Sequence, residues 1–449
     1  MGAAHLPLPF LGAAHLSAPF LGAAHLPVAT ATYRFEVVLL VFGGLLVVGA
    51  LASGLARRSF LSLAAGFVLA GFVLGQGATR VLAFDPRSGF VSELATVALV
   101  VILFRDGLEV ESAMLQAHWH LPLRKLVLAM PLTAAIIALG TRLLTNLSWT
   151  DCFLLGALLS PTDPVLSSSV VTNPRVPRIV RHSLNLESGL NDGLALPAVL
   201  ALAAAAGAGR GNFVWWRFVL QDLSLGLVTG LLVGLLAARL MPRAGGREDG
   251  IPPHQKSLYA LGTAFAAYGI AVLGPHGNGL IAVFVAAITL GIRRRDIRGC
   301  FERQAKDLVE IVKLGIFVVF GSLLTLHGLF GDGWAAVAIV VIVIVVARPV
   351  AVFAALAGTA TDTATRGFMA WFGPKGVATM TFSLLVLSDR ISSGTRIFNL
   401  AALVVVSSVL VHGLSDTPGS EWLARRSERG QRETGRGAAA GASKPSGTR

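Results

Sequence analysis

Charge is what this sequence has least of. Only 14% of its 449 residues are Asp, Glu, Lys or Arg, where a soluble domain carries about 25%. Two cysteines far apart in the chain, Cys152 and Cys300, make no disulfide framework. No metal-ligand spacing, glycine-rich phosphate loop or nucleophile elbow is present. No cofactor is therefore expected. What fills the chain is apolar: 54% of residues are hydrophobic and the mean hydropathy is +0.72. Long apolar runs recur, and a run of roughly 20 residues spans a bilayer. The composition describes an all-α polytopic membrane protein.

Thirteen stretches are expected to cross the membrane, at about 36–56, 60–77, 91–110, 124–145, 151–170, 182–207, 216–240, 256–273, 278–292, 308–328, 333–357, 366–388 and 396–413. The formal charge of +13 raises the question of a nucleic-acid partner. Its distribution answers against one, because Lys and Arg concentrate in the gaps after odd-numbered segments. By the positive-inside rule the N-terminus then lies outside and the tail inside, in the cell membrane. The Arg293-Arg294-Arg295 cluster and the basic tail would face anionic lipid.

Residues 1–35 form a leader with the tandem repeat Gly-Ala-Ala-His-Leu around His5, His15 and His25. Such tracts sometimes bind metal; the plainer reading is low complexity without fixed structure. The membrane-spanning body is expected at 36–415. A basic, Gly/Ser/Ala-rich tail follows at 416–449 and reads as disordered.

Polar residues inside such segments are expensive, and by default they mark function. Segment six carries His182-Ser-Leu-Asn-Leu-Glu-Ser-Gly-Leu-Asn-Asp192. Residues four apart share a helix face, so Ser188 and Asp192 offer oxygens on one side while Glu187 and Asn191 face another helix. Asp192 lies ten residues inside segment six, about 15 Å at 1.5 Å per residue, half of a 30 Å core. Segment five holds Ser160-Pro-Thr-Asp-Pro164, where Pro161 and Pro164 break the helix; Thr162 and Asp163 lie in the break and are candidate ion- or proton-binding residues. The bland alternative is a proline kink whose second half Asp163 caps. Segment twelve holds a second interruption, Phe372-Gly-Pro-Lys-Gly376, with Lys375 available to offset the negative ends of half-helices; it can also be an ordinary loop. Segments five and twelve run in opposite directions, and paired interruptions in inverted halves point to a transporter site. In segment eleven Arg348 stands alone and wants a carboxylate; Glu187 is the candidate for a structural clamp. In segment three Arg105 and Glu109 are spaced to pair, and Asp106 either lines a cytoplasmic funnel or marks the helix end.

Asp163, Glu187, Asp192, Arg348 and Lys375 each cost about 2.5–3.5 kcal/mol at mid-membrane. Three acids against two bases leave one negative charge, which one proton or one monovalent cation neutralises. A neutral one-for-one exchange follows from that sum.

Taken in order, Thr162-Asp163-Pro164, Glu187-Ser188, Asn191-Asp192 and Arg348 resemble the NhaP-type sodium/proton antiporters, relatives of the eukaryotic NHE exchangers in the monovalent cation/proton antiporter superfamily. The resemblance spans about residues 36–413. It implies an inverted-repeat fold of thirteen helices with two crossed broken helices, and a homodimer. It also implies Asp192 as the shared ion and proton carboxylate, Ser188 and the Thr162 region as further ligands, and a Glu187–Arg348 pair. An Asn before that Asp marks the branch regarded as electroneutral. Two positions depart: an acid often follows Leu-Phe in segment three, where this chain has Arg105 and then Asp106, and Lys375 stands where Arg is frequent. The expected activity is exchange of sodium, lithium or potassium for protons, not enzymatic. Rival readings are a dedicated potassium/proton exchanger, a sodium-coupled organic-anion carrier and an intramembrane aspartyl protease.

Overall fold

The computed structural model describes residues 35–56, 63–114, 120–163, 170, 173–207, 214–242, 251–359, 361–389 and 391–442. The histidine repeat and Pro164 lie outside these. Among the described residues there is no strand, and part or all of each expected membrane stretch is helical. In chain order the helices are α1 Phe35–Ala56, α2 Leu63–Leu74, α3 Gly89–Met114, α4 His120–Leu144, α5 Trp149–Leu159, α6 Arg178–Gly207, α7 Trp215–Leu240 and α8 Pro253–Leu273. They continue as α9 Gly279–Arg293, α10 Arg295–Gln304, α11 Lys306–Ser322, α12 Trp334–Ala355, α13 Thr363–Trp371, α14 Val377–Ser388 and α15 Gly394–Ala442. Six of these are long and apolar enough to cross a membrane by length and composition (α4, α6, α7, α8, α12 and α15), and shorter apolar helices accompany them.

Local chemistry sets the starts. Ser148 accepts from the Asp151 N–H at the head of α5, Asn278 from Leu280 and Ile281 at the head of α9, and Asp362 from Thr365 at the head of α13, each a side-chain oxygen satisfying an orphan donor. Helix α15 passes Pro418 and continues to Ala442, so position 415, where the membrane body was expected to end, is not a helix end.

The helices sort into two bundles. In one, α4, α5, α6, α12, α13, α14 and α15 pack on one another; in the other, α2, α3, α7, α8, α9, α10 and α11 do. The seam between them is built mainly by α3, α9 and α11 against α6 and α14. Outer faces are apolar: Leu39, Leu40, Val47 and Val48 of α1 and Leu227, Val228, Leu231 and Leu232 of α7 are exposed, as suits surfaces whose solvent is lipid.

Candidate functional site

The site grows from the two interruptions. Helix α5 stops before Pro161, which has no N–H to give and restricts the residue before it. Helix α13 stops before the run Gly373-Pro374-Lys375-Gly376. The two irregular stretches meet: the Asp163 N–H donates to the Pro374 carbonyl at 2.8 Å. This contact needs glycine, because a Cβ on Gly376 would lie 2.1 Å from the Asp163 Cβ. Each interruption then supplies the charge that the other lacks. Lys375 Nζ donates to the Ser160 and Pro161 carbonyls, 3.5 and 3.2 Å away, at the open end of α5. The Val377 N–H, at the start of α14, donates to Asp163 Oδ2 at 3.4 Å. A cation thus sits on a negative helix end and an anion on a positive one. Asp163 does cap a half-helix, but that of the opposite interruption.

The expected Glu187–Arg348 pair is present. Arg348 donates to Glu187 Oε1 at 2.7 Å and to Oε2 at 3.3 Å. The same guanidinium donates to the Met369 and Phe372 carbonyls, both at 3.2 Å, at the open end of α13. Arg348 therefore does for α13 what Lys375 does for α5, and Gly373 makes room for it: a Cβ there would meet Arg348 Nε at 2.0 Å.

A third cation in this cluster was not foreseen. Lys125 on α4 has a side chain with no solvent exposure, and its Nζ donates to Glu187 Oε2 at 2.6 Å and to the Ser183 carbonyl at 3.3 Å. Segment four was expected to begin at 124, and Lys125, at its edge, was not singled out. The described helix already runs from His120 and carries Lys125 inside. The backbone is irregular at both bases: a π-helical turn runs Lys125–Ala129, and another, Ile342–Ala347, ends just before Arg348. Single π turns of this kind recur at functional sites. A cavity of about 10 Å³ lies between Lys125, Thr133, Ser160, Glu187, Asn191 and Arg348. Lys125 also corrects the charge sum. Asp163, Glu187 and Asp192 are matched by Lys125, Arg348 and Lys375, so a surplus negative charge no longer follows.

Around Asp192 the arrangement differs. Asn191 turns away and donates through Nδ2 to the Thr162 carbonyl at 2.7 Å and its hydroxyl at 3.2 Å, tying α6 to the α5 interruption. Asp192 is buried, yet among the described residues no hydrogen bond to its carboxylate is found. Ser188, one turn earlier on the same face, is half-buried. Asp106 and Asp163 bear on Asp192 with like charge, Arg105 and Lys313 with opposite charge. Asp106 is buried on α3 and bonded by Arg105, whose Nε lies 2.8 Å from Oδ1; its Oδ2 is buried with no hydrogen-bond partner among the described residues. Glu109 stands one turn on, its Oε2 4.0 Å from the Cβ position of Gly189. Arg105, Glu109, Ser188 and Gly189 are half-buried; beyond Asp192, Gly193, Ala195, Leu196 and Val199 are buried, while Leu194 and Ala198, on another face of α6, are exposed. On the face that Asp192 shares with Ser188, exposure falls from the Arg178 end of α6 toward Val199. Among the described residues no His, Cys, Asp or Glu group is arranged to hold a metal ion.

Two crossed interruptions with oppositely charged caps, and a carboxylate on the seam of two helical bundles, define a secondary transporter of the inverted-repeat kind. Residues 39–422 match the family described as sodium/hydrogen exchanger, transmembrane, and the chain belongs to that family. The K(+)/H(+) antiporter NhaP of Alkalimonas amylolytica is 24% identical over 391 residues, 86% of this chain and 67% of that protein. The K(+)/H(+) antiporter NhaP2 of Shewanella oneidensis is 25% identical over 384 residues, 84% of this chain and 65% of that protein. The chain thus spans about two thirds of the length of these curated relatives. The sodium proton antiporter MjNhaP1 of Methanocaldococcus jannaschii has the same fold, with a TM-score of 0.71 at 18% identity over 87% of this chain and 98% of that one. Membership of this family sets aside the protease and anion-carrier readings.

Proposed function

We propose that this protein exchanges a monovalent cation for a proton across the membrane, with Asp192 as the carboxylate the two share. The observation that carries this is the contrast along one helix. Glu187 is held by two cations and Asn191 by Thr162, while the buried Asp192 carboxylate faces the seam uncommitted. Such an oxygen pair can take a proton or a cation, not both, and a rocking motion of one bundle against the other would expose it to each side in turn. Ser188 and the Thr162 region complete the ion's shell in this reading, and Asp106 lines the approach. Asp163 and Lys375 hold the interruptions open. One carboxylate serving one proton or one cation keeps the exchange one for one, a basis that does not depend on the charge sum. The proteins it resembles include both potassium/proton and sodium/proton antiporters, so sodium, lithium and potassium are all candidates.

The test is proton flux in proteoliposomes with each cation in turn. Asp192→Asn should reduce cation-dependent flux to that of protein-free vesicles while the protein stays folded. Exchange by the parent should ignore an imposed membrane potential. Flux that survives in the Asn variant removes Asp192 as the carrier.

A homodimer in the cell membrane, with the N-terminus outside, completes the reading. The exposed apolar faces of α1 and α7 and the loop charge bias support it. Particle mass in detergent and the side from which protease reaches the tail test it.

A further inference from the structure

The seam beside Asp192 is closed by one ring. Helix α9 lies against both α3 and α6, and Phe284 is where it touches the two carboxylate-bearing stretches. The residue after Asp192 is Gly193, and a Cβ there would stand 2.1 Å from Phe284 Cζ and 2.4 Å from both Cε atoms. The residue after Asp106 is Gly107, and a Cβ there would stand 2.9 Å from the Phe284 carbonyl oxygen and 3.3 Å from its Cδ2. The tip of the ring thus occupies a notch that exists only because position 193 has no side chain. Glycine inside a helix is unfavourable relative to alanine, and here its absent methyl is the space the ring fills. Phe284 belongs to one bundle and Gly193 to the other, so the contact crosses the seam. Gly193 also lies one step past Asp192, on the side where Ala195, Leu196 and Val199 are buried.

We propose that Phe284 is the hydrophobic seal of the exchange cycle: seated in the Gly193 notch, its ring keeps water and ions that reach Asp192 from the Arg178 end from passing on toward Val199. The inference rests on the exchanger reading for its purpose, but the seal itself is a property of the seam. Val199 is seven residues beyond Asp192 on the same helix face, so a thiol placed there reports on the sealed side. The ring acts by exclusion and not by contact with the ion. Its loss should open a path without removing the ion's ligands.

The experiment uses the full chain with Cys152 and Cys300 changed to Ser and Val199→Cys added, reconstituted in vesicles. A membrane-impermeant maleimide is applied from the side that reaches Ser188, and labelling is followed alongside proton flux without any exchangeable cation and melting temperature. Phe284→Ala should speed labelling about tenfold and raise the cation-independent proton flux, while Phe284→Leu, which keeps apolar bulk, should stay near the parent in both. Gly193→Ala, whose methyl expels the ring, should speed labelling likewise and carries the test if Phe284→Ala does not fold. Parental labelling and parental leak in Phe284→Ala and Gly193→Ala overturn the seal, whatever happens to their melting temperatures. If the parent shows no cation–proton exchange, the exchanger reading fails instead, and labelling still decides on the ring.

Discussion

At the scale of residues, the cluster on Glu187 sets a hierarchy that can be measured. One carboxylate holds two cations, Arg348 at 2.7 Å and Lys125 at 2.6 Å. Removing Lys125 leaves Glu187 still paired, so Lys125→Met should cost about 1.5–3 kcal/mol, the worth of a hydrogen bond to a charged group. Arg348→Ala removes the stronger partner and uncaps α13 together, and should cost about 3–5 kcal/mol, as breaking a buried pair does. Glu187→Gln leaves two buried cations facing each other without an anion and should be the most damaging. Thermal unfolding in detergent should rank them in that order. A Lys125→Met variant that melts below Arg348→Ala would show that Lys125, not Arg348, is the principal partner. Arg348 was legible in the sequence because a lone Arg in a Val/Ile-rich segment must find an acid. Lys125 was not, because a base at a segment's edge reads as an interfacial anchor until the helix start is known.

At the scale of elements, the interruptions were legible and their interlocking was not. Proline and glycine break helices for local reasons, so Pro161 and the Gly373–Gly376 run announce themselves. That Lys375 serves α5, and Asp163 serves α14, depends on segments more than 200 positions apart meeting head on, which no local pattern encodes. The crossing makes a contrast between two glycines. A Cβ on Gly376 would collide with Asp163, while one on Gly43 in α1 finds nothing within 4 Å. Gly43→Ala should leave stability within about 1 kcal/mol of the parent, on the favourable side if helix propensity rules. Gly376→Ala must push the interruptions apart, loosening both caps, and should depress melting temperature and cation-dependent flux together. Equal melting temperatures for the two variants would mean that the crossing is looser than the 2.8 Å bond between Asp163 and Pro374 implies.

At the scale of the whole molecule, a seam that rocks needs bundles that do not. The second bundle is tied at one end by a network at the ends of the membrane segments, centred on Asp296 outside them. Arg294 donates to the Ala238, Met241 and Pro242 carbonyls at the end of α7 and to Asp296 at the start of α10. Lys256 of α8 joins Asp296 at 3.1 Å. One carboxylate thereby links α7, α8, α9 and α10. The hydrogen bonds from Arg294, followed by that from Lys256, hold the Asp296 carboxyl far below its ordinary value of 3.8 against the opposing effect of burial. A carboxyl whose native value lies below its unfolded value stabilises the fold in full above the unfolded value, and loses that contribution as pH falls through the native one. Asp296→Asn should therefore melt below the parent by a constant margin between about pH 7 and pH 5. The margin should shrink at about pH 3.5, where the parent begins to protonate Asp296 in its unfolded state. Other carboxylates titrate in the same range, but they are common to both proteins, so the difference isolates this one. A margin that grows toward acid would mean that Asp296 is protonated more readily in the folded protein than in the unfolded chain, and that the network does not hold its charge.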